Sequence, residues 1–256
     1  MARGVSLGEF DILHLHPAPY SCYTTCMSNT NNEQFSKNDI HDGEIEGHLE
    51  HIHREFAEGF EFLKKYPKSV TVFGSSLAKN DDRHYAQAQE LGKRIVNEVG
   101  YAVVTGGGPG IMEATNKGAY EAGGISLGLN VSLPHERTTN AYVTHAIKFS
   151  YFFSRKTMLM FAAEAYVFFP GGYGTLDEFF NILTLLQTNK IPRVPIVLID
   201  SNFWTPFRDL ALEKMCRDYH TIEEKDLEFF EITDSLDRVI EVIKKASVSE
   251  WWRNIN

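Results

Sequence analysis

Two stretches of this chain carry glycines where a strand hands over to a helix, the arrangement that holds an oxyanion. The first is Ala165-Tyr166-Val167-Phe168-Phe169-Pro170-Gly171-Gly172-Tyr173-Gly174-Thr175-Leu176-Asp177-Glu178. An apolar run fit for a strand buried on both faces stops at Pro170, and a helix follows with Phe179, Ile182, Leu183 and Leu186 at helical spacing. Thr175 is placed to be its N-cap and Glu178, three residues on, to close a capping box. Gly171, Gly172 and Gly174 let the backbone approach an anion, and the free amides of Tyr173 to Thr175 supply the favourable field. The second stretch is Tyr101 to Thr105, Gly106-Gly107-Gly108, and a helix opened by Pro109 over Gly110 to Ala114. Two such cradles predict either one anion with two walls or two separate anions, and point to a nucleotide or sugar-phosphate site. Neither is a G-x-G-x-x-G fingerprint or a Walker loop.

The elements that position these turns read as alternating strands and helices. A strand Ser69 to Phe73 ends at a third small turn, Gly74-Ser75-Ser76, which is either a lid on a base or ribose or a simple turn. A helix Asp82 to Glu98, a strand Ile125 to Leu129 after Gly123-Gly124, a short strand Val143 to Phe149 and a helix Ser150 to Ala163 follow. Beyond the cradle at Pro170 to Glu178 and its helix come strand Pro195 to Ile199, helix Trp204 to Cys216, a strand near Phe229 to Ile232 and a helix Ser235 to Lys245. This cadence predicts an α/β, Rossmann-like, doubly wound and mostly parallel sheet with helices on both faces and its ligand at the strand C-terminal ends.

The expected organisation is an irregular or partly disordered extension over 1–43, an amphipathic helix over 44–66 packing on the core or a partner, the nucleotide-binding α/β domain over 67–247 and a tail over 248–256. A chain of 256 residues with 43% hydrophobic content can bury one sizeable core. A net charge of −9 and the lack of a basic stripe argue against a nucleic-acid partner. No apolar run approaches the ~20 residues of a membrane span. Cys22, Cys26 and Cys216 are too few for a disulfide framework, so a reducing, cytoplasmic setting is expected. His14, His16, His41, His48, His51 and His53 crowd the start of the chain near two cysteines, but their spacing matches no zinc pattern.

Three blocks resemble the signature of the LOG family of cytokinin riboside 5′-monophosphate phosphoribohydrolases and their bacterial AMP-nucleosidase-like relatives, once labelled "lysine decarboxylase". They are Gly106 to Ala114, Ser154-Arg155-Lys156 and Pro170 to Glu178, and the likeness spans roughly Ser69 to Ala246. Leu133-Pro134-His135-Glu136 and Leu185 to Thr188 look like the bacterial branch. The resemblance implies a homodimer or higher homo-oligomer that hydrolyses the N-glycosidic bond of a purine nucleoside 5′-monophosphate, adenine or cytokinin, with no cofactor and no metal. Its catalytic arginine and glutamate fall on Arg155 and Glu178. Its substrate-binding loops fall on the glycine blocks, with Gly74, Ser75 and Lys156 beside them. One departure is Leu159, where plant members place a methionine. The competing class is a non-catalytic nucleotide or molybdenum-cofactor carrier or sensor on the same fold.

Breaking a C1′–N bond develops positive charge on the ribose and negative charge on the leaving base. A carboxylate near C1′ stabilises that cation or deprotonates water, and an arginine neutralises phosphate or holds the ribose in register. A carboxylate aimed at the phosphate itself would repel it, so Glu178 is expected to face the ribose. Asp177, one position round the helix, is expected to stabilise the first turn or pair with a cation. A Schiff base at Lys156 is what the decarboxylase label would require, and nothing else in the chain suggests it. Phe149, Tyr151, Phe152 and Phe153 are expected mostly to pack in the core, with base stacking or a subunit contact as the alternative.

Overall fold

A computed structural model describes residues 42–132 and 139–246. The 1–41 part of the N-terminal extension with Cys22 and Cys26, the loop Leu133 to Glu136 and the 248–256 tail lie outside the described residues. By internal contacts the chain divides into Met1–Glu46 and Gly47–Asn256. Of the first unit only the opening of one helix is described.

The second unit is built on seven parallel strands: β1 Ser69–Phe73, β2 Ala102–Thr105, β3 Ser126–Val131, β4 His145–Phe149, β5 Ala165–Phe168, β6 Ile196–Ile199 and β7 Glu231–Thr233. Their order is β4-β3-β2-β1-β5-β6-β7, and every pairing in this sheet is parallel where a mostly parallel one was expected. The helices are α1 Asp42–Leu63, α2 Arg83–Arg94, α3 Ile111–Glu121, α4 Phe152–Phe161, α5 Tyr173–Gln187, α6 Ser201–Leu210 and α7 Leu236–Lys245. The α2 and α6 helices run on into π-helical turns, Ile95–Val99 and Ala211–Asp218.

The strands alternate their side chains between two apolar layers, as the pleat requires. Val70, Val72, Val103, Val167 and Val197 pack under α2, α3 and α7. Phe73, Val104, Tyr166, Phe168 and Leu198 pack under α4, α5 and α6, where Trp204 is fully buried and Phe56 and Leu63 of α1 close one side. The central strands β1, β2, β5 and β6 are buried throughout and read as mostly apolar runs, which made them legible. No helix among the described residues is long and apolar enough to cross a membrane.

Three local expectations are corrected. Thr175 is not an N-cap: α5 starts at Tyr173 with Gly172 in the cap position and no side-chain cap bond. Pro109 precedes α3 instead of opening it, because Gly110 at φ 72° takes the cap position in a conformation that disfavours other residues. The sixth helix begins at Ser201 and not at Trp204, its amides capped by the Asp200 carboxylate.

Candidate active site

Strand β1 lies between β2 and β5, so the chain leaves it in one direction and returns on the other side. This is the point where an open parallel sheet splays its loops and leaves a crevice at the strand C-termini. The loops around it are laced together: Ser75 donates its amide to the Pro170 carbonyl (3.0 Å), and Ile111 donates its own to the Ser75 carbonyl (3.0 Å). A Cβ on Gly74 would strike Ile111 at 2.7 Å, and one on Gly110 would strike the backbone of Ser75 and Ser76. A cleft of about 280 Å³ opens between these loops, α4 and α5.

One wall is the start of α5. The first amides of a helix have no partner within it, and here Gly172 and Gly174 line the cleft with nothing within 4 Å of their missing Cβ atoms. Thr175, buried in the first turn, also lines the cleft, and Gly171 makes room for its hydroxyl. One turn further in, Glu178 lines the cleft at 7% exposure, and its Oε2 is buried with no hydrogen-bond partner. The capping-box role for Glu178 therefore falls with that of Thr175. Burial pushes the Glu178 carboxyl up to about 7; the Lys156 and Arg155 cations pull against that, and Asp177 adds to it.

The facing wall carries Arg155. Its Nε donates to the Leu129 carbonyl at the end of β3 (2.6 Å), and its guanidinium lies against Gly106, where a Cβ would meet Nη2. Burial lowers the Arg155 pKa and the nearby Glu178 charge raises it, the balance lying below the ordinary value. The two groups line one cleft without an ion pair between them. Lys156, the next residue, is turned out of the cleft and bridges Asp177 at 2.6 Å, the cation partner expected for that aspartate.

Of the residues singled out in sequence, Gly74, Ser75, Gly106, Arg155, Gly172, Gly174, Thr175 and Glu178 line the same cleft. Gly107, Gly108, Gly110, Gly171, Lys156 and Tyr173 do not, and most have other work. Gly107 sits at φ 71° with its carbonyl taken by the Asn140 amide (2.9 Å), and the Gly108 carbonyl takes Asn140 Nδ2 (3.0 Å). The triple-glycine turn is thus pinned from behind by Asn140, with Gly106 at the cleft. Tyr173 is 93% exposed. Of the four aromatics, only Phe149 is core; Phe152 and Phe153 are exposed.

Sequence reasoning missed Met112, Leu77 and Phe73 in the lining, together with Leu159, which it had noted only as a departure. It also missed the buried network of Thr105, Asn116, Asn140 and Ser126 behind the turn. A polar Asn116 amid the apolar face of α3 was the available signal.

A family model described as "Possible lysine decarboxylase" matches residues 112–243, a stretch that includes Arg155 and Glu178. The chain belongs to this family, the LOG family. LOG relatives include a cytokinin riboside 5′-monophosphate phosphoribohydrolase of Rhodococcoides fascians, 26% identical over 147 residues, spanning 55% of this chain and 72% of that protein. The Oryza sativa enzyme named LOG is 30% identical over 143 residues, spanning 55% of this chain and 58% of its own length. A solved molybdenum cofactor carrier protein of Chlamydomonas reinhardtii superposes with a TM-score of 0.51 at 24% identity, covering 70% of this chain and 97% of that one, a likeness of fold.

Proposed function

We propose that this protein hydrolyses the N-glycosidic bond of purine nucleoside 5′-monophosphates, giving free base and ribose 5-phosphate. The observation that carries the reading is Glu178: a buried carboxylate with an unpartnered oxygen, in a cleft it shares with a guanidinium, one turn past a glycine-opened helix N-terminus. In this reading the 5′-phosphate rests on the amides of Tyr173 and Gly174 and on the Thr175 hydroxyl. The ribose lies toward Glu178, which stabilises the positive charge growing at C1′ and takes a proton from the attacking water. Water oxygen bonds to C1′, the C1′–N pair leaves with the base, and a proton reaches the base nitrogen. Arg155, held by the Leu129 carbonyl, keeps phosphate and ribose in register. The base meets Met112, Leu159 and Leu77.

A carrier of an anionic ligand gains nothing from a buried carboxylate in its pocket, which sets the carrier reading second. The assembly belongs to the same proposal: Phe152, Phe153, Tyr173 and Phe180 are exposed on α4 and α5 beside the cleft, a face for a second copy. The deciding experiment incubates the protein with AMP, GMP, CMP and isopentenyl-AMP and resolves the products by chromatography. Release of adenine or its prenylated form is the expected result. Tight binding without any free base would establish the carrier instead.

A further inference from the structure

Two charged doublets face one another across the site. Arg155 and Lys156 are neighbours on α4, and Asp177 and Glu178 are neighbours on α5. Successive helical residues point about 100° apart, so each helix splits its doublet. Arg155 and Glu178 turn into the cleft, whereas Lys156 and Asp177 stay outside it and close on each other at 2.6 Å. A second tie between the helices, Asn181 Nδ2 to Met160 Sδ at 2.8 Å, lies one turn beyond. The inner charges, of opposite sign in the same cleft, make no ion pair.

We propose that the Lys156–Asp177 pair is a positioning device for the reacting carboxylate: it fixes the gap between α4 and α5 and, through its two charges, sets how readily Glu178 ionises. The proposal rests on reading Glu178 as that carboxylate. The charged and titratable groups facing Glu178 are Arg155 and Lys156 from α4, Asp177 from its own helix and the buried Tyr166 phenol from β5. Lys156 favours the carboxylate form of Glu178 and Asp177 opposes it. The pair thus bears on Glu178 with two opposed charges, the Lys156 effect being the larger. Neutralising one partner leaves the other unopposed, so the two single variants must push Glu178 in opposite directions. A bridge that only braces the helices would act in the same direction whichever partner was removed. Lys156 then works through Glu178 and not as a direct ligand of the substrate.

The test follows the side-chain carboxyl carbon of Glu178 by NMR through a pH titration of the full chain labelled with ¹³C-glutamate, the resonance being identified by its loss in E178Q. Asp177 is 64% exposed and Lys156 24% exposed; a half-exposed pair contributes only modestly to stability, so K156M and D177N are expected to fold. The Glu178 midpoint should rise by about half a pH unit in K156M, the scale of one unit charge several ångströms away at an effective dielectric between protein surface and water, and fall by a smaller amount in D177N. The acid limb of hydrolysis should move with it, a roughly threefold change in rate below the midpoint. Midpoints that move together or stay still overturn the proposal. So does a K156M variant whose KM rises while its midpoint is unchanged, since Lys156 would then be a substrate ligand. Opposite movements in a protein that releases no base would uphold the bridge's control of Glu178 ionisation but sink the hydrolase reading and, with it, the reacting role of that carboxylate.

Discussion

Glu178 lies at the meeting of stability and chemistry. Folding raises its carboxyl from 4.5 to about 7, so the native state holds a proton that the unfolded chain releases sooner. Its favourable contribution is fully present below pH 4.5 and is lost as pH rises through 7. Above that, the buried charge costs the fold on the order of 3 kcal/mol. E178Q should therefore unfold at higher urea concentration than the parent at pH 8 and at nearly the same concentration at pH 4.5, while base release is nearly abolished. In the parent, kcat should fall as pH drops below about 7, since the carboxylate form does the work. The glycines separate by the same kind of argument. G106A drives a methyl into the Arg155 guanidinium, so base release should drop at least tenfold with circular dichroism unchanged. G174A meets nothing in the protein; a raised KM in that variant would report how closely a phosphate approaches the backbone. Glu178 was legible because it follows directly on the glycine block, whereas Arg155 was reached only through the resemblance of Ser154-Arg155-Lys156 to the LOG signature; both line the cleft. Sequence reading missed Met112 and Leu77, because an apolar residue lining a cleft looks no different in sequence from one lining the core.

At the scale of elements, helix positions are set by contacts that leave faint marks in the sequence. The α2 and α3 helices cross so closely that a Cβ on Gly118 would overlap the Gln89 carbonyl, and one on Gly92 the Thr115 carbonyl. In an open helix, glycine to alanine gains about 1 kcal/mol; here overpacking of about 1–3 kcal/mol or more reverses the sign. G118A should lower the urea midpoint and, because α3 carries Gly110 and Met112 at its other end, raise KM as well. The α1 helix has a comparable duty. Its Glu55, 6% exposed, accepts the amides of Ser150 and Tyr151 at the entry to α4, and His51 Nε2 meets both Glu55 and Ser150 Oγ. Since one ring nitrogen serves both neighbours, this cluster is a strut and not a Ser-His-acid relay. E55A, which leaves the partly buried amides of Ser150 and Tyr151 without their carboxylate, should cost about 1 kcal/mol in urea unfolding and reduce kcat through the displaced Arg155. Helix boundaries were the weak part of the sequence reading wherever a cap was made by a neighbour instead of by the helix itself. Gly172 holds the cap position that Thr175 looked better suited to fill, and Gly110 caps a helix that Pro109 was expected to open.

Across the whole molecule, the architecture was legible because a parallel sheet covered on both faces imposes continuous apolar strands separated by helical periods. The strand order was not, since nothing local says that β1 pairs with β5. That pairing, Val70 with Ala165 through Phe73 with Phe168, joins segments separated by six intervening elements, α2, β2, α3, β3, β4 and α4. A ribosome delivers β1 long before its second neighbour. Until β5 emerges, the β1 edge, with Val70, Val72 and Phe73, stands open, the kind of surface on which nascent chains stick to one another. Late, long-range closure of this sort is slow. Production of the protein at elevated temperature or without chaperone support should consequently yield inclusion bodies well before the finished molecule nears its melting point, and substitutions that delay β5 should lower yield more than they lower stability.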